Sequence, residues 1–370
     1  MVSEAPYVII GAGFAGAATA YHLALGGVKE ILILEQERIA GVHSSGRNAA
    51  MVRQVVSDPA VAALTREGAA FLRHLPADWR VSVAFEQNGS LLLGSGEVWH
   101  GLARDAERAR QKMGIEIECW SRERVEGHVP VLKGADFEGA VWCPTDGVID
   151  IHALLLGYLR AATALGAQIR YGCPVRGIEV ENGRVAGVRT EAGLIRTEAV
   201  INAAGAWAGV IGGLAGASAM PLRPCRRHLF VTAPLPWVDR KWPFVWDITQ
   251  DIYFRPESGG LLLCPCDQDE MAPGIPPADN SVRELLAEKV SRHLPGIADV
   301  AIKRYWAGFR TLSGDGRFVI GWDPKVRGFF WVAGLGGHGV TASSAVGALA
   351  ARLILSQDGA EEFSPQRFVT

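Results

Sequence analysis

The chain has 370 residues, 49% of them hydrophobic, which is enough for a large buried core and favours two domains over one. Its 37 Lys and Arg residues nearly balance 39 Asp and Glu residues, so the composition excludes a strongly basic nucleic-acid-binding protein. The six cysteines show no C-x-x-C spacing, which disfavours a metal site and favours a reduced, cytoplasmic protein.

The first predicted elements are a strand, a helix and a second strand. Residues 7–10 (YVII) are apolar without alternation, as expected of a parallel strand that is covered on both faces. A glycine turn leads into a helix over residues 17–25, and a second apolar strand follows at residues 31–34. This order is typical of the first half of a dinucleotide-binding fold.

A GxGxxG turn joins that first strand to the helix. Gly11 permits the tight turn, Gly13 lets a diphosphate approach the backbone, and Gly16 lets the helix pack closely on the strand. Glu35 ends the second strand, where a carboxylate can accept a hydrogen bond from a ribose 2′-hydroxyl. We therefore predict a dinucleotide site, and the carboxylate disfavours the 2′-phosphate of NADP.

Three later segments indicate which dinucleotide is bound. Residues 41–50 (GVHSSGRNAA) can wrap a diphosphate from its second side, although the same composition suits a solvated surface loop. Residues 200–207 predict another buried strand that ends in small residues, and residues 328–339 run from a strand into a glycine loop before a helix at 340–355. A nicotinamide enzyme has no need of this second glycine-rich helix start. A flavin does, because a helix N-terminus stabilises the negative charge that the flavin gains on reduction.

Five segments occur in the same order as in a known family. They are GAGFAG, HSSGRNAA, NAAGAWA, WAGFRTLSGDGRFVIG and GFFWVAGLGGHGVTASSAVG. This set resembles the FAD-dependent D-amino-acid oxidase-like family, which includes glycine oxidase, sarcosine oxidase and the D-amino-acid dehydrogenases. Within this family, residues 129–160 most resemble the bacterial D-arginine dehydrogenases. The family resemblance covers essentially the whole chain.

The resemblance implies an α/β fold in which a Rossmann-type FAD-binding domain is interleaved with an antiparallel or mixed β-sheet substrate domain (α+β). We assign residues 1–75, 150–215 and 310–370 to the FAD-binding domain, and residues 76–149 and 216–309 to the substrate domain. The second group independently contains short β-prone runs separated by Pro, Gly and Asp. These runs are residues 85–93, 140–142, 229–232, 252–255 and 261–263.

The resemblance also implies which residues bind FAD. They are Gly11, Gly13, Gly16, Glu35, Gln36, Ser44, Ser45, Arg47, Asn48, Ala49, Val175, Ala204, Gly205, Trp207, Gly334, Gly336, Gly339, Val340 and Thr341. We expect non-covalent FAD, because the covalent cysteine of sarcosine oxidase lies in the C-terminal segment and no cysteine follows Cys266 here. His43 is the only nearby histidine of the early loop.

The resemblance further implies how an amino acid is held while its α-carbon passes a hydride to flavin N5. Arg310 matches the position that grips the substrate carboxylate, and Tyr253 the position whose hydroxyl binds the same group. Arg227 matches a substrate-facing arginine, the Gly337 carbonyl can take the amine, and His338 tunes the flavin or lines the pocket. A surface arginine, a core tyrosine and a packed histidine are the alternative interpretations.

The predicted substrate pocket departs from the D-arginine dehydrogenases. Met51 and Val56 stand where those enzymes carry a histidine and a tyrosine, with Arg53 between them. The acid that pairs with a guanidinium side chain there aligns with Gly89, and Glu86 is near but shifted. A cationic substrate would meet Arg53 without a counter-charge, which disfavours D-arginine.

We therefore predict FAD-dependent oxidative deamination of a small or apolar D-amino acid, with the imino product hydrolysed to an oxo acid. The alternatives are oxidation of a secondary amino acid resembling sarcosine or proline, oxidation of a 2-hydroxy acid, or a flavin-carrying subunit of a larger dehydrogenase. The electron acceptor is oxygen or a quinone-linked electron-transfer chain. The N-terminal apolar run is far shorter than the ~20 residues of a membrane span, and peripheral docking at the inner membrane is left open.

Overall fold

The computed structural model describes residues 4–356 and 360–369, so residues 1–3, 357–359 and 370 of the predicted FAD-binding domain lie outside the described part. In chain order its helices are α1 (Phe14–Leu25), α2 (Pro59–Arg73), α3 (Gly96–Met113), α4 (Arg122–His128), α5 (Ile151–Ala164), α6 (Ala208–Leu214), α7 (Ser281–His293) and α8 (Ser343–Ser356).

The strands are, in the same order, β1 (Tyr7–Ile10), β2 (Ile31–Leu34), β3 (Met51–Val52), β4 (Phe85–Glu86), β5 (Ser90–Gly94), β6 (Glu118–Ser121), β7 (Gly139–Cys143), β8 (Gly147–Ile149), β9 (Gln168–Arg170), β10 (Val175–Glu181), β11 (Arg184–Thr190), β12 (Gly193–Arg196), β13 (Ala199–Asn202), β14 (Arg223–Thr232), β15 (Phe244–Asp247), β16 (Ile252–Glu257), β17 (Gly260–Cys264), β18 (Asp269–Glu270), β19 (Ile302–Leu312), β20 (Val319–Trp322) and β21 (Phe329–Ala333).

One of the two large sheets has six strands in the order β20-β21-β13-β1-β2-β9. All its neighbouring strands are parallel except β20, which runs antiparallel to β21. Ile9 of β1 packs into the core with α1, α5 and α8, whereas Val8 and Ile10 pack into a second core with β10, β11 and α6. Both faces are thus covered, which is why β1 and β2 are continuously apolar.

A nine-stranded sheet contains β5, β6, β7 and β14 to β19. Its pairs are antiparallel except β5 with β15, so the sheet is mixed. One face packs with α7 and the segment after α4 around Phe230 and Phe254. The fold class predicted from the sequence, a parallel-sheet α/β unit interleaved with a mixed sheet, is confirmed.

One predicted strand is divided in the structure, and one observed strand crosses a domain boundary that the sequence predicts. The predicted strand at residues 85–93 is divided into β4 and β5, since Gly89 has a φ of +83° and leaves the extended region. β19 crosses the predicted domain boundary between residues 309 and 310, because its pairing with β14 continues from Ile302 to Leu312. Arg310 therefore lies on a strand of the mixed sheet.

The helices begin at other residues than the apolar pattern indicates. α1 starts at Phe14 rather than residue 17, and α8 starts at Ser343 rather than residue 340, because residues 339–342 form turns before the helix. No helix among the described residues has the length and apolar character that crossing a membrane requires.

The contact between α1 and α8 generates a stability prediction. A Cβ added at Gly347 would lie 2.5 Å from the Ala18 carbonyl carbon and 2.8 Å from the Ala18 Cβ. We expect Gly347→Ala to lower the free energy of unfolding by about 1–3 kcal/mol, because the two helices would be forced apart. Denaturant unfolding followed by circular dichroism measures this change.

Gly101→Ala in α3 is the matched control, since the only atom near its added Cβ is Arg104 Nη2 at 3.9 Å. Its free energy of unfolding should stay unchanged or rise by up to about 1 kcal/mol. Equal stability of the two variants would contradict the close packing of α1 on α8.

Candidate active site

The cleft predicted to bind the cofactor lies where four parallel strands end. The carboxyl ends of β1, β2, β13 and β21 meet at one edge of the six-stranded sheet. Gly11, Glu35, Ala203 and Gly334 directly follow those four ends. The sheet thereby brings together residues from three distant parts of the sequence.

Two adjoining cavities make up this cleft. The wider cavity has a volume of about 290 Å³, and its walls include Gly11, Gly13, Glu35, Gln36, Ser44, Ser45, Val175, Ala204, Gly205 and Trp207. The narrower cavity has a volume of about 150 Å³, and its walls include Asn48, Ala49, Met51, Arg310, Gly334, Gly336, Gly337, Gly339 and Val340. Both cavities share Gly13, Ser44, Ser45 and Gly205, so they form one elongated cleft.

The loop at residues 41–50 is anchored on the glycine turn. Phe14 N donates to Ser45 Oγ at 3.0 Å, and a Cβ added at Gly13 would lie 2.9 Å from that oxygen. Asn48 Nδ2 donates to the backbone oxygens of Ser44 and Ser45 at 3.0 and 2.8 Å. A side chain at position 13 would therefore displace the Ser45 hydroxyl from Phe14 N, and the loop is packed against the protein rather than solvated.

Glu35 presents a carboxylate that the backbone holds in place. Its Oε2 accepts from Ala12 N at 2.8 Å and its Oε1 accepts from Glu37 N at 3.0 Å. A carboxylate has about four acceptor positions, so each oxygen retains one for a ligand. This arrangement suits a ribose hydroxyl at the wider end of the cleft.

Three of the predicted cofactor residues do not line the cleft. A Cβ added at Gly16 would lie 2.0 Å from the Gly11 carbonyl oxygen, so Gly16 serves helix packing, which is the role that the turn predicts. The Arg47 guanidinium donates to a backbone oxygen of its own loop at 2.8 Å and lines a separate cavity behind that loop. Thr341 Oγ1 accepts from Arg53 N at 3.0 Å and positions that residue instead.

Arg310 lines the narrower end of the cleft and contacts Tyr253, which is buried behind it and lines neither cavity. Arg310 Nη2 donates to the Tyr253 hydroxyl at 3.5 Å. Gly337 packs on the same guanidinium, since a Cβ added there would lie 3.3 Å from Arg310 Nη1. Burial raises the pKa of Tyr253 well above its ordinary value, so the phenol is neutral and keeps its proton. This pair can bind a carboxylate through the guanidinium and the hydroxyl.

Comparison with known proteins identifies the family of the chain. The FAD dependent oxidoreductase (DAO) family profile matches residues 6–353. The chain belongs to this family. Membership confirms FAD as the cofactor, and the elongated cleft with its glycine-lined walls fits that dinucleotide. When bound, FAD supplies the redox chemistry by accepting a hydride from the substrate.

Individual members of the DAO family resemble the chain over most of its length. It is 28% identical to the mitochondrial sarcosine dehydrogenase of Homo sapiens over 360 residues, which are 93% of this chain and 39% of that protein. It is 27% identical to sarcosine oxidase subunit beta of Rhizobium meliloti over 323 residues, which are 86% of this chain and 76% of that subunit. The chain thus spans about two fifths of the mitochondrial relative.

A solved structure shows the same likeness in three dimensions. The crystal structure of L-proline dehydrogenase from P. horikoshii matches with a TM-score of 0.90 at 25% identity, covering 100% of this chain and 98% of that chain.

Arg227 lies on the same face of the mixed sheet as Tyr253, and Arg226 lies on the opposite face. Arg227 Nη2 donates to Gln268 Oε1 at 3.0 Å. Arg226 is also buried: it is 8% exposed and donates to the carboxylates of Asp269 and Asp279, each at 2.9 Å. Alternation along β14 accounts for the two directions.

Met51 and Arg53 lie near the narrower end of the cleft, although Arg53 lines neither cavity. Met51 lines the cavity directly. The Arg53 guanidinium lies over the Trp246 ring, 4.5 Å from its centroid, which is a cation–π contact. Burial, together with the positive charge of Arg310, lowers the pKa of Arg53 to about 10, so the guanidinium stays charged at neutral pH.

His338 is a neutral member of this region. Burial lowers its pKa to about 3, and the positive charges of Arg53 and Arg310 contribute in the same direction. A neutral imidazole next to the glycine loop does not repel a cationic amine.

Two of the predicted pocket residues lie elsewhere. Val56 packs against the core formed around α1, α5 and α8. Gly89 faces Trp142, because a Cβ added there would lie 2.1 Å from Trp142 Cη2. Glu86, the shifted acid, lines the cavity behind the 41–50 loop rather than the cleft. Val56, Gly89 and Glu86, which were compared with pocket residues of the D-arginine dehydrogenases, therefore lie outside the cleft.

Sequence reasoning missed the residues that surround Arg53 and Tyr253. Trp246 is opposite Tyr253 in the register of β15 and β16, and Cys264 is opposite Tyr253 in the register of β16 and β17. Asp146 is completely buried close to Arg53, and burial raises its pKa to about 6. None of these residues belongs to a recognisable motif, so the sequence could have indicated Trp246 and Cys264 only through the pairing register of β15, β16 and β17. The described residues contain no cluster of His, Cys, Asp and Glu able to hold a metal ion.

The wall of the cleft generates a prediction about flavin attachment. His43 lines the wider cavity, with its Nε2 at 2.9 Å from Glu37 Oε1 and its ring centroid 4.5 Å from that of Trp207. Cys173 also lines the wider cavity, and none of the described cysteines or histidines lines the narrower one. We therefore expect FAD to leave the protein on acid or heat denaturation.

Absorbance of the supernatant and of the redissolved precipitate measures the distribution of the flavin. Release should be complete in the wild-type protein and in His43→Ala. Flavin that remains with the precipitated wild-type protein would show a covalent link, and its loss in His43→Ala would identify the residue.

Proposed function

We propose that this chain oxidises the C–N bond of an amino acid that carries a secondary amine. The observation that supports this proposal is Arg310 in the wall of the narrower end of the FAD cleft, backed by the buried Tyr253 hydroxyl at 3.5 Å, where the guanidinium can hold a carboxylate. Sarcosine dehydrogenase, sarcosine oxidase subunit beta and L-proline dehydrogenase, which resemble the chain, are named for secondary amino acids.

The chain's own residues bind and orient the substrate. Arg310 and the neutral Tyr253 hydroxyl fix the carboxylate, and the backbone at Gly337 lies against the same guanidinium. The neutral His338 imidazole tolerates an amine that still carries its proton. In the overall reaction the amino acid loses a hydride and a proton to form an imine, which water hydrolyses to an amine and a carbonyl compound.

A substrate panel tests the class of amino acid. Anaerobic stopped-flow mixing with sarcosine, L-proline, D-alanine, D-arginine and a 2-hydroxy acid measures how quickly each one bleaches the flavin. We expect the secondary amines to be fastest and D-arginine to be slow, because its cationic side chain meets Arg53. Fastest bleaching by D-alanine would replace the proposal with oxidation of small primary D-amino acids, which is the function that the sequence predicts.

A flavin-carrying subunit is the second candidate function. The likeness to sarcosine oxidase subunit beta favours it, because that relative is named as one subunit of an enzyme. Turnover by the purified chain alone would argue against it, whereas turnover that requires a co-expressed partner would support it. The yield of hydrogen peroxide relative to dye reduction then distinguishes oxygen from an electron-transfer chain as acceptor.

Arg310→Lys tests the carboxylate contact. An ammonium group cannot replace the two parallel bonds of a guanidinium, so the variant should lose roughly 2–4 kcal/mol of substrate binding. We expect a large rise in KM with FAD content unchanged, measured by steady-state kinetics and flavin absorbance.

Arg304→Lys is the matched control, because it lies on the same strand with its side chain 59% exposed. Its KM should remain within about twofold of the wild type, well below a tenfold change of 1.4 kcal/mol. Unchanged kinetics in Arg310→Lys would remove Arg310 from the site.

A further inference from the structure

Three guanidinium groups lie near one another at the narrower end of the cleft, and Arg310 is the one that lines its wall. Arg310 comes from β19, Arg227 from β14 and Arg53 from the segment that follows β3. Tyr253 is subject to the charges of Arg310 and Arg227, and Arg53 is subject to the charge of Arg310. Such a concentration of cations is unfavourable unless anions offset it.

The protein leaves many of these donors without acceptors. Arg227 Nε and Nη1 are buried and have no partner among the described residues. No side-chain hydrogen bond or ion pair of Arg53 is found in the described part of the chain, where its contact is the Trp246 ring at 4.5 Å. Unpaired buried donors are costly, so a bound group that accepts from them stabilises the site.

The nearby acids are already engaged. Asp267 accepts from His228 N at 2.9 Å and its Oδ2 lies 2.6 Å from His228 Nδ1. Asp146 accepts from Gln54 Nε2 at 2.9 Å and from Ser90 Oγ at 2.7 Å. Neither carboxylate forms a direct ion pair with the three arginines.

One thiolate can offset part of this charge. Burial opposes ionisation of Cys264, but its contact with Cys266 and the nearby Arg227 and Arg310 lower its pKa to about 6. Asp146 and Asp267 add negative charge near Arg53 and Arg227 without accepting hydrogen bonds from them, so the guanidinium donors, and not the net charge, remain unsatisfied.

A single substrate carboxylate does not satisfy the remaining donors. A carboxylate has about four acceptor positions, of which a bidentate arginine takes two and a hydroxyl one. Arg310 and Tyr253 therefore nearly saturate it, and the donors of Arg227 and Arg53 exceed what is left.

We propose that the substrate of this site is an amino acid with two carboxylates, and that Arg53 binds the second one. This inference rests on the proposed function, because it names the class of amino acid that the site oxidises. Arg53 is suited to the role, since Thr341 holds its backbone at 3.0 Å and Trp246 supports its guanidinium, while its donors stay available.

Ligand binding without turnover tests the second carboxylate directly. Titration of the holoenzyme with succinate against butyrate, and with glutarate against valerate, gives dissociation constants from the perturbed flavin absorbance. Each pair has the same chain length and differs in one carboxylate. We expect at least one dicarboxylate to bind 10-fold or more tightly than its partner.

Variants assign the effect to Arg53. Arg53→Gln should reduce the dicarboxylate preference to within twofold by weakening dicarboxylate binding far more than monocarboxylate binding, whereas Arg53→Lys should keep part of the preference. Arg304→Gln removes the same charge from an exposed site and should keep all of it. If Arg53→Gln does not fold, the wild-type comparison and Arg53→Lys still decide the question.

Turnover separates this inference from the proposed function. Iminodiacetate against sarcosine, and N-methylaspartate against N-methylalanine, compare secondary amines with and without a second carboxylate. A kcat/KM at least 10-fold higher for a dicarboxylate is expected. Dicarboxylate binding without oxidation of any secondary amine would overturn the proposed function alone, and oxidation without any preference in binding or turnover would overturn the inference alone.

Discussion

The contact between Gly16 and the carbonyl oxygen of Gly11 is the constraint on which the rest of the site depends. A Cβ at position 16 would lie 2.0 Å from that oxygen, so only glycine lets α1 begin directly behind the end of β1. This start brings Phe14 N to Ser45 and closes the 41–50 loop over the cleft. Close packing of α8 on α1 at Gly347 then brings the C-terminal glycine loop to the same edge.

A second close approach couples this cofactor edge to the mixed sheet. A Cβ at Gly308 of β19 would lie 2.9 Å from the Arg47 backbone oxygen, so the 41–50 loop packs directly on the strand that carries Arg310. Pairing of β19 with β14 sets Arg227 opposite Gly308, two residues from Arg310 along the strand. The same backbone contacts that shape the FAD cleft therefore fix the position of Arg310, which holds the substrate carboxylate in the proposed function.

Electrostatics gives this junction its chemical character. Burial and the Arg310 charge lower the pKa of Arg53 to about 10, so Arg53 stays charged at neutral pH. Burial, with the charges of Arg53 and Arg310, lowers the pKa of His338 to about 3, so the imidazole stays neutral. The region attracts carboxylates and disfavours cationic side chains. In the proposed function, carboxylate recognition is shared by the whole junction between the two sheets, and Arg310 is one part of it.

The sequence alone was enough to predict the elements that depend on a short, local residue pattern. The continuous apolar runs gave β1 and β2 with their observed bounds, and the glycine spacing together with Glu35 indicated the dinucleotide site. The tertiary structure was needed to show that Arg47, Val56 and Gly89 lie outside the cleft and that Trp246 contacts Arg53. A local pattern reports burial and backbone conformation, whereas side-chain partners depend on the register between strands that are far apart in the chain.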